Sequence, residues 1–223
     1  MLNSQDTYKE KYEKKDYGLR YPDGHIIRFY ERILRYKLNA KAGNLLDFGC
    51  GTGTHSAYFK SKGYECFGID IVKSLKQSYE ANTGGGAFHF INANESFKDK
   101  FKVSFNLIFA NQSLYYLPKQ SFKDCINEFY DLAHKDCIIF ATMMSKKNYY
   151  FKEAKNYDSK SGLWEVSLKG RLNEKSFINF VDNFEDLQEM FKPFKKLFMG
   201  EYDSFNLKEF EGSAHHFIYI GKK

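Results

Sequence analysis

Three glycines, Gly49, Gly51 and Gly53, alternate in the stretch LLDFGCGTGTH, residues 45–55. They follow an apolar run and precede a segment of helical character. A glycine-rich turn from strand to helix lets backbone come close to a ligand, because no side chain stands in the way. The spacing separates the ligand classes. A dinucleotide fingerprint, GxGxxG, requires its third glycine at position 54 or 56, where the chain has Thr54 and Ser56. A phosphate loop requires Gly-Lys-Ser/Thr, and the next lysine is Lys60. A literal DFG at 47–49 lacks the companion motifs of a kinase. The pattern that remains is hh-D-h-G-x-G-x-G, with an acid, Asp70, one helix and one strand further on. A carboxylate there has two acceptor oxygens for a vicinal diol, and the helix start at 52–55 offers unpaired N–H groups to an anion.

These residues need a frame to hold them. From residue 44 the chain alternates strand and helix: NLLDFG, THSAYFKSKG, YECFGID, VKSLKQSYEAN, AFHFINA, FNLIFAN, SFKDCINEFYDLAHK and DCIIFATM. Such alternation predicts parallel βαβ units with right-handed crossovers, an open, doubly wound sheet. Two amphipathic segments, 4–16 and 23–38, come first. In the second, Ile26, Ile27, Tyr30, Ile33 and Leu34 recur at helical spacing, with Pro22 at the entry and Asp23 in the first turn. Residues 145–192 break the rhythm and read as an inserted cap plus a helix that stops at Pro193. KKLFMGEY and AHHFIYIGKK then read as a closing strand pair. The organisation expected is an N-terminal helical lid (1–42), a core (43–144), the cap (145–192) and the final strands (193–223), within one domain.

Asp47-Phe48-Gly49-Cys50-Gly51-Thr52-Gly53 resembles the first motif of the class I S-adenosylmethionine-dependent methyltransferases. The resemblance implies their fold, a mostly parallel seven-stranded sheet with an antiparallel last strand, and S-adenosylmethionine as cofactor, with S-adenosylhomocysteine as product. Carried over residue by residue, it implies Asp47, Gly49 and Gly51 at the cofactor turn and Asp70 on the ribose. Ile71 then packs on the adenine, with Asn92 and Ala93 of INAN nearby. Asn111, ending the fourth strand, faces the methionine amine, and Arg28 reaches for the methionine carboxylate. Asn92 and Asn106 stand where the family commonly has Asp.

For methyl transfer the enzyme aligns an in-line displacement and takes a proton from a poor nucleophile. Asn111-Gln112-Ser113-Leu114 is not the Asn/Asp-Pro-Pro-Tyr/Phe of amino methylation of adenine or glutamine. Cys125 sits on the apolar face of a helix, unlike a cytosine-attacking thiol. Six scattered histidines give no metal-ligand spacing. What remains is a small polar acceptor methylated at oxygen, or simply at nitrogen. If the last strand is antiparallel, its first residues, His215 and His216, lie at the carboxyl edge of the sheet where ligands bind. Histidine suits a general base, and alternation lets at most one of the two face the crevice. Tyr115 and Tyr116 are further candidates at the acceptor. His55 reads as structural at the methionine end.

The composition sets outer bounds. With 223 residues, 43% hydrophobic and 28% charged, the chain is globular. It shows no signal peptide and no apolar run long enough to span a membrane. Its four cysteines lack disulfide spacing, which suits a reduced, cytoplasmic protein. Residues 1–41 carry ten Lys/Arg and six Asp/Glu, so they supply +4 of the net +6. Such a lid can attract a phosphorylated or sugar-linked acceptor, and the family resemblance implies the kind of acceptor that similar proteins modify in surface-polysaccharide pathways, O-methyl phosphoramidate groups included. In the cap, Trp164, Tyr149, Tyr150 and Arg171 are placed to hold such a group or to form the cap's own core. The competing expectations are an RNA methyltransferase, for which no RNA-binding module is visible, and a protein that binds the cofactor without turnover.

Overall fold

The computed structural model describes residues 4–13, 18–169, 173–203 and 212–223. Seven strands form the main sheet: β1 (Asn44–Phe48), β2 (Glu65–Asp70), β3 (Ala87–Phe90), β4 (Phe105–Ala110), β5 (Ala133–Met144), β9 (Lys195–Tyr202) and β10 (His216–Lys222). Their order is β3-β2-β1-β4-β5-β10-β9. The first five are parallel, and β10 runs antiparallel to both of its neighbours. This is the doubly wound sheet expected, with the reversed last strand. The chain order switches direction between β1 and β4, which opens a crevice at the carboxyl ends of the strands.

Helices cover both faces, which is why the parallel strands read as continuous apolar runs. On one face Leu45, Leu107, Phe109, Phe140 and Ile220 pack against Ile26, Phe29 and Phe59. The last three come from α2 (Gly24–Arg28), the wide helical stretch after it, and α3 (Thr54–Lys60). In that stretch, Phe29–Lys37, the chain closes longer hydrogen-bonded turns than an α-helix, and its C-terminal Leu38 N–H reaches the Ile33 carbonyl at 2.9 Å. The spacing predicted one α-helix over 23–38; the structure widens it after Arg28. On the other face Leu46, Ile108 and Ile139 meet Phe122, Cys125 and Phe129 of α5 (Lys119–Leu132). Between β2 and β3 lies α4 (Lys76–Asn82).

Residues 145–192 form α6 (Tyr149–Lys152), a separate antiparallel sheet β6 (Ala154–Asp158), β7 (Leu163–Leu168) and β8 (Glu174–Ile178), and then α7 (Phe184–Met190). At the N-terminus α1 (Gln5–Glu13) lies against β8. Thr7 Oγ1 donates to the Lys175 carbonyl at 2.7 Å, the Phe177 N–H donates to Ser4 Oγ at 3.1 Å, and the Lys11 ammonium pairs with the deeply buried Glu174 carboxylate. Among the described residues, no helix is long and apolar enough to cross a membrane.

Candidate active site

The glycine turn leaves β1 at the sheet's carboxyl edge. Gly49, Gly51 and Gly53 all have positive φ, at 75°, 53° and 83°. A side chain at such φ is strained. Space is short as well: a Cβ on Gly49 would lie 2.5 Å from the Ser113 Cβ, and one on Gly53 would lie 2.7 Å from the Tyr79 ring. The N–H groups of Gly49 and Cys50 both bond the Ile69 carbonyl, at 2.9 and 3.0 Å, which pins the turn to β2. Asp70, ending β2, completes the cradle. It accepts from the Gly51 N–H and the Val72 N–H, each at 2.9 Å. Burial raises its carboxyl pKa, against those backbone hydrogen bonds. Each of its two oxygens keeps acceptor capacity beyond those bonds.

The turn forms one wall of a cavity of about 830 Å³, near the top of the size range, about 300–1,000 Å³, of ligand pockets. Beyond Asp70 the wall carries apolar side chains, Ile71, Ile91, Ala93 and Phe97, interleaved with the polar Asn94, Glu95 and Ser96. Past the glycines it turns polar, with Asp23, His55 and Asn111. Asn111 donates to the Asp23 carboxylate at 3.3 Å and accepts from Thr142 Oγ1 at 3.2 Å, and its Oδ1 lies 3.1 Å from His25 Nε2. Burial alone would raise the Asp23 carboxyl pKa; the nearby His55, His25 and Asn111 outweigh it and hold the group below its ordinary value.

The far half of the cavity is walled by phenols: Tyr8, Tyr115, Tyr116, Tyr149, Tyr150 and Tyr202. Tyr8 and Tyr116 share a hydrogen bond between their hydroxyls. His216 enters this half at the start of β10. Its Nδ1 lies 2.8 Å from the Ala214 carbonyl, so Nδ1 carries the proton and Nε2 the lone pair. Nε2 is buried with no hydrogen-bond partner among the described residues. Burial depresses the imidazole pKa to about 4, which keeps the ring neutral at physiological pH. A buried acceptor left unmatched is costly, and a donor brought in by a bound molecule removes that cost.

The sequence matches the family model described as a methyltransferase domain over residues 19–191. The chain belongs to that methyltransferase family. This methyltransferase shares its fold with an S-adenosylmethionine-dependent methyltransferase from Clostridium acetobutylicum, at 15% identity and TM-score 0.64, with 99% of both chains covered. The N-methyltransferase NodS from Bradyrhizobium japonicum, in complex with S-adenosyl-L-homocysteine, matches at 12% identity and TM-score 0.63, over 99% of this chain and 98% of that chain. A third is 1,6-didemethyltoxoflavin-N1-methyltransferase from Burkholderia thailandensis, bound to 1,6-didemethyltoxoflavin and S-adenosylhomocysteine. It matches at 15% identity and TM-score 0.62, over 99% of this chain and 86% of that chain. No curated protein sequence matches the chain. S-adenosylmethionine is the cofactor of the methyltransferase. The cavity suits it: the glycine turn brings bare backbone to the wall, Asp70 offers acceptors beside apolar side chains, and the opposite corner is polar.

The structure brings together Gly49, Gly51, Asp70, Ile71, Ala93, Asn111, Tyr115 and His216 around this one cavity. It does not bring Asp47, Arg28, Asn92 or His215 there. Asp47 points behind the turn and accepts from Ser56 Oγ at 2.7 Å; burial pushes its carboxyl pKa up to about 6. Arg28 is exposed on the outer side of α2. Asn92 is exposed because β3 ends at Phe90 and the chain folds back, so its backbone and side-chain N–H groups both bond Glu95, at 2.8 and 2.7 Å. His215 lies on the other face of the sheet, with Nδ1 2.7 Å from Ser145 Oγ and Nε2 3.0 Å from the Glu201 carboxylate. Its two nitrogens are engaged, so it has none to offer a substrate.

Of the cap residues, Tyr149 and Tyr150 line the cavity, whereas Trp164 packs on Phe151 and Tyr157 within the cap. Arg171 lies outside the described residues. Cys125 lines the cavity, but burial raises its thiol pKa and keeps it protonated. Asp23, His25, Tyr8 and Tyr202 were not singled out from the sequence. Asp23 reads there as a helix-start residue. It is the N-terminal cap of α2 but makes no side-chain cap bond, and its carboxylate turns inward instead. The cluster YPDGH, polar groups crowded at a helix entry, was the available signal.

Proposed function

We propose that the methyltransferase methylates a small polar acceptor at oxygen, with His216 as the general base. The observation that carries this reading is the His216 tautomer: Nδ1 is tied to the Ala214 carbonyl, leaving a neutral Nε2 without a partner in the wall of the cavity. Bound S-adenosylmethionine supplies an activated methyl group on a sulfonium. Gly49 and Gly51 would admit its methionine portion against the backbone, Asp70 would accept from the ribose hydroxyls, and Ile71 and Ala93 would offer apolar surface to the adenine. Asp23 and Asn111 would hold the methionine amine. His216 accepts the acceptor's proton as the new bond forms, and Tyr115 and Tyr116 orient the acceptor.

The charge of the N-terminal segment bears on acceptor choice. Among the described lining residues Lys11 is the sole lysine or arginine, and Glu174 holds it. Arg20, Arg28, Arg32 and Arg35 are exposed. The described lining offers an acceptor phenol hydroxyls and ring faces. Nitrogen is the second reading, favoured by the two similar structures described as N-methyltransferases. A ring N–H would give its proton to the same Nε2.

The test is S-adenosylhomocysteine release from S-adenosylmethionine with defined pools: free sugars, sugar phosphates, phenols, hydroxylated heteroaromatics, amines and transfer RNA. The expected result is turnover with a hydroxyl-bearing pool and an O-methyl product by mass spectrometry and NMR. Turnover with RNA alone would sink the small-molecule reading. Tight cofactor binding with no product in any pool would favour a binding protein without turnover.

A further inference from the structure

The hydrogen bond from His216 Nδ1 to Ala214 selects the tautomer only while the ring keeps the plane that reaches that carbonyl, and the bond does not itself hold the plane, which can rock about it. The neighbouring strand supplies what is missing. In the β9–β10 pair, Tyr202 is the direct cross-strand partner of His216. Cross-strand partners on one face hold their Cβ atoms about 4.5–5.5 Å apart, close enough for rings to stack. The Tyr202 and His216 rings lie 5.2 Å apart with planes only 7° from parallel. Tyr202 also stacks on His25 of α2, at 4.1 Å and 18°. The phenol is held at its tip as well, where Gln112 Nε2 donates to its hydroxyl at 3.0 Å. His25 in turn reaches Asn111 Oδ1 at 3.1 Å, in the polar corner beside Asp23.

We propose that Tyr202 is a positioning residue for the His216 imidazole, and that the column His25–Tyr202–His216 ties the plane of the base to the Asn111 corner of the cavity. The assignment rests on His216 being the base, as argued above. A distant helix and two consecutive strands converge on one ring plane: α2, β9 and the first residue of β10. Tyr202 acts through His216 and takes no proton itself. Its hydroxyl accepts from Gln112, and its ring packs on the two imidazoles. Tyr115, at 5.6 Å and 45° from the His216 ring, bounds the same ring without lying parallel to it.

The experiment uses the full chain labelled with ¹⁵N-histidine and saturated with S-adenosylhomocysteine, so the first readout needs no acceptor. Long-range ¹H–¹⁵N correlation spectra report the His216 tautomer. The wild type and Tyr202→Phe are expected to show a single Nδ1–H form, and Tyr202→Leu a mixture of tautomers. With the acceptor identified in the pool screen, Tyr202→Leu is expected to lower kcat about tenfold to a hundredfold, the cost of misplacing a catalytic group by about an ångström. The Kd for S-adenosylmethionine should stay within about twofold, and Tyr202→Phe should recover kcat to within about threefold, because the ring and its stacking face remain. If Tyr202→Leu proves unfolded by circular dichroism, His25→Leu removes the other stacking partner, and a smaller shift in the same direction is expected. A wild-type His216 spectrum and wild-type kcat in the folded leucine variant would overturn the positioning role. Unchanged turnover in His216→Gln would overturn the base itself, and the tautomer spectra would still judge the stack.

Discussion

The two halves of the cavity are built by different means. At the cofactor end the backbone does the holding. Three positive-φ glycines, two N–H groups bonded to the Ile69 carbonyl and one carboxylate bonded to Gly51 and Val72 all come from neighbouring stretches of chain. At the acceptor end side chains do the work, and they arrive from α1, the segment after β4, α6, β9 and β10. The first half depends on conformations that single residues permit. The second depends on strand register and on distant elements docking correctly. Substitutions in the first should therefore act on cofactor affinity, and substitutions in the second on turnover.

The sharpest test of that division is the His215–His216 pair. His216→Gln should lower kcat by about 10²- to 10⁴-fold, the range of a positioned general base, while calorimetry finds the cofactor Kd unchanged. His215→Gln, one residue away on the opposite face, should leave kcat within about threefold and instead lower stability by about 1–3 kcal/mol in urea unfolding, because Ser145 and Glu201 lose their partner. Equal loss of turnover in both would erase the distinction. At the other end, Gly49→Ala should weaken S-adenosylmethionine binding by up to about a hundredfold, through backbone strain of about 1–3 kcal/mol and the clash with Ser113. Asp70→Asn should weaken it about tenfold, with kcat at saturation nearly unchanged, since the amide keeps one acceptor oxygen. A large kcat effect from Asp70→Asn would show that the halves are coupled.

The pH profile probes the same contrast. His216, the proposed base, can take a proton only when neutral. Because burial depresses its pKa to about 4, the neutral form persists well below the ordinary value of 6.5 for histidine. Turnover at saturating cofactor should stay level from pH 8 to about 5 and fall as the pH drops through about 4. A fall centred near 6.5 would mean that an unburied histidine carries the proton.

How much of this was legible in the sequence follows the same line. The strands and the glycine turn could be read because their signals are local: apolar runs of strand length, and glycines where φ must be positive. Gly49, Gly51 and Asp70 reach the cavity for that reason. Asn92 did not, because β3 stops at Phe90 and the residue folds back on Glu95. Asp47 did not, because strand alternation turns it toward Ser56. Arg28 sits on the solvent side of a helix whose buried residue is Ile26. Alternation limited the histidine pair to one inward ring, but not which one, since that needs the register of β10 against Met144 and Tyr202. Tyr202 carries no local signal at all, and His25 none beyond its place in the polar helix entry YPDGH; their meaning exists only once α2, β9 and β10 share a corner.

The helix α1 touches both halves at once. A Cβ on Gly51 would lie only 2.7 Å from its Tyr12 hydroxyl, its Tyr8 lines the tyrosine-walled half, and its Lys11 is paired with Glu174 in the cap. One helix thus borders both halves and is pinned to the cap by an ion pair. Breaking that pair with Lys11→Met or Glu174→Gln should speed the release of S-adenosylhomocysteine, read by stopped-flow fluorescence.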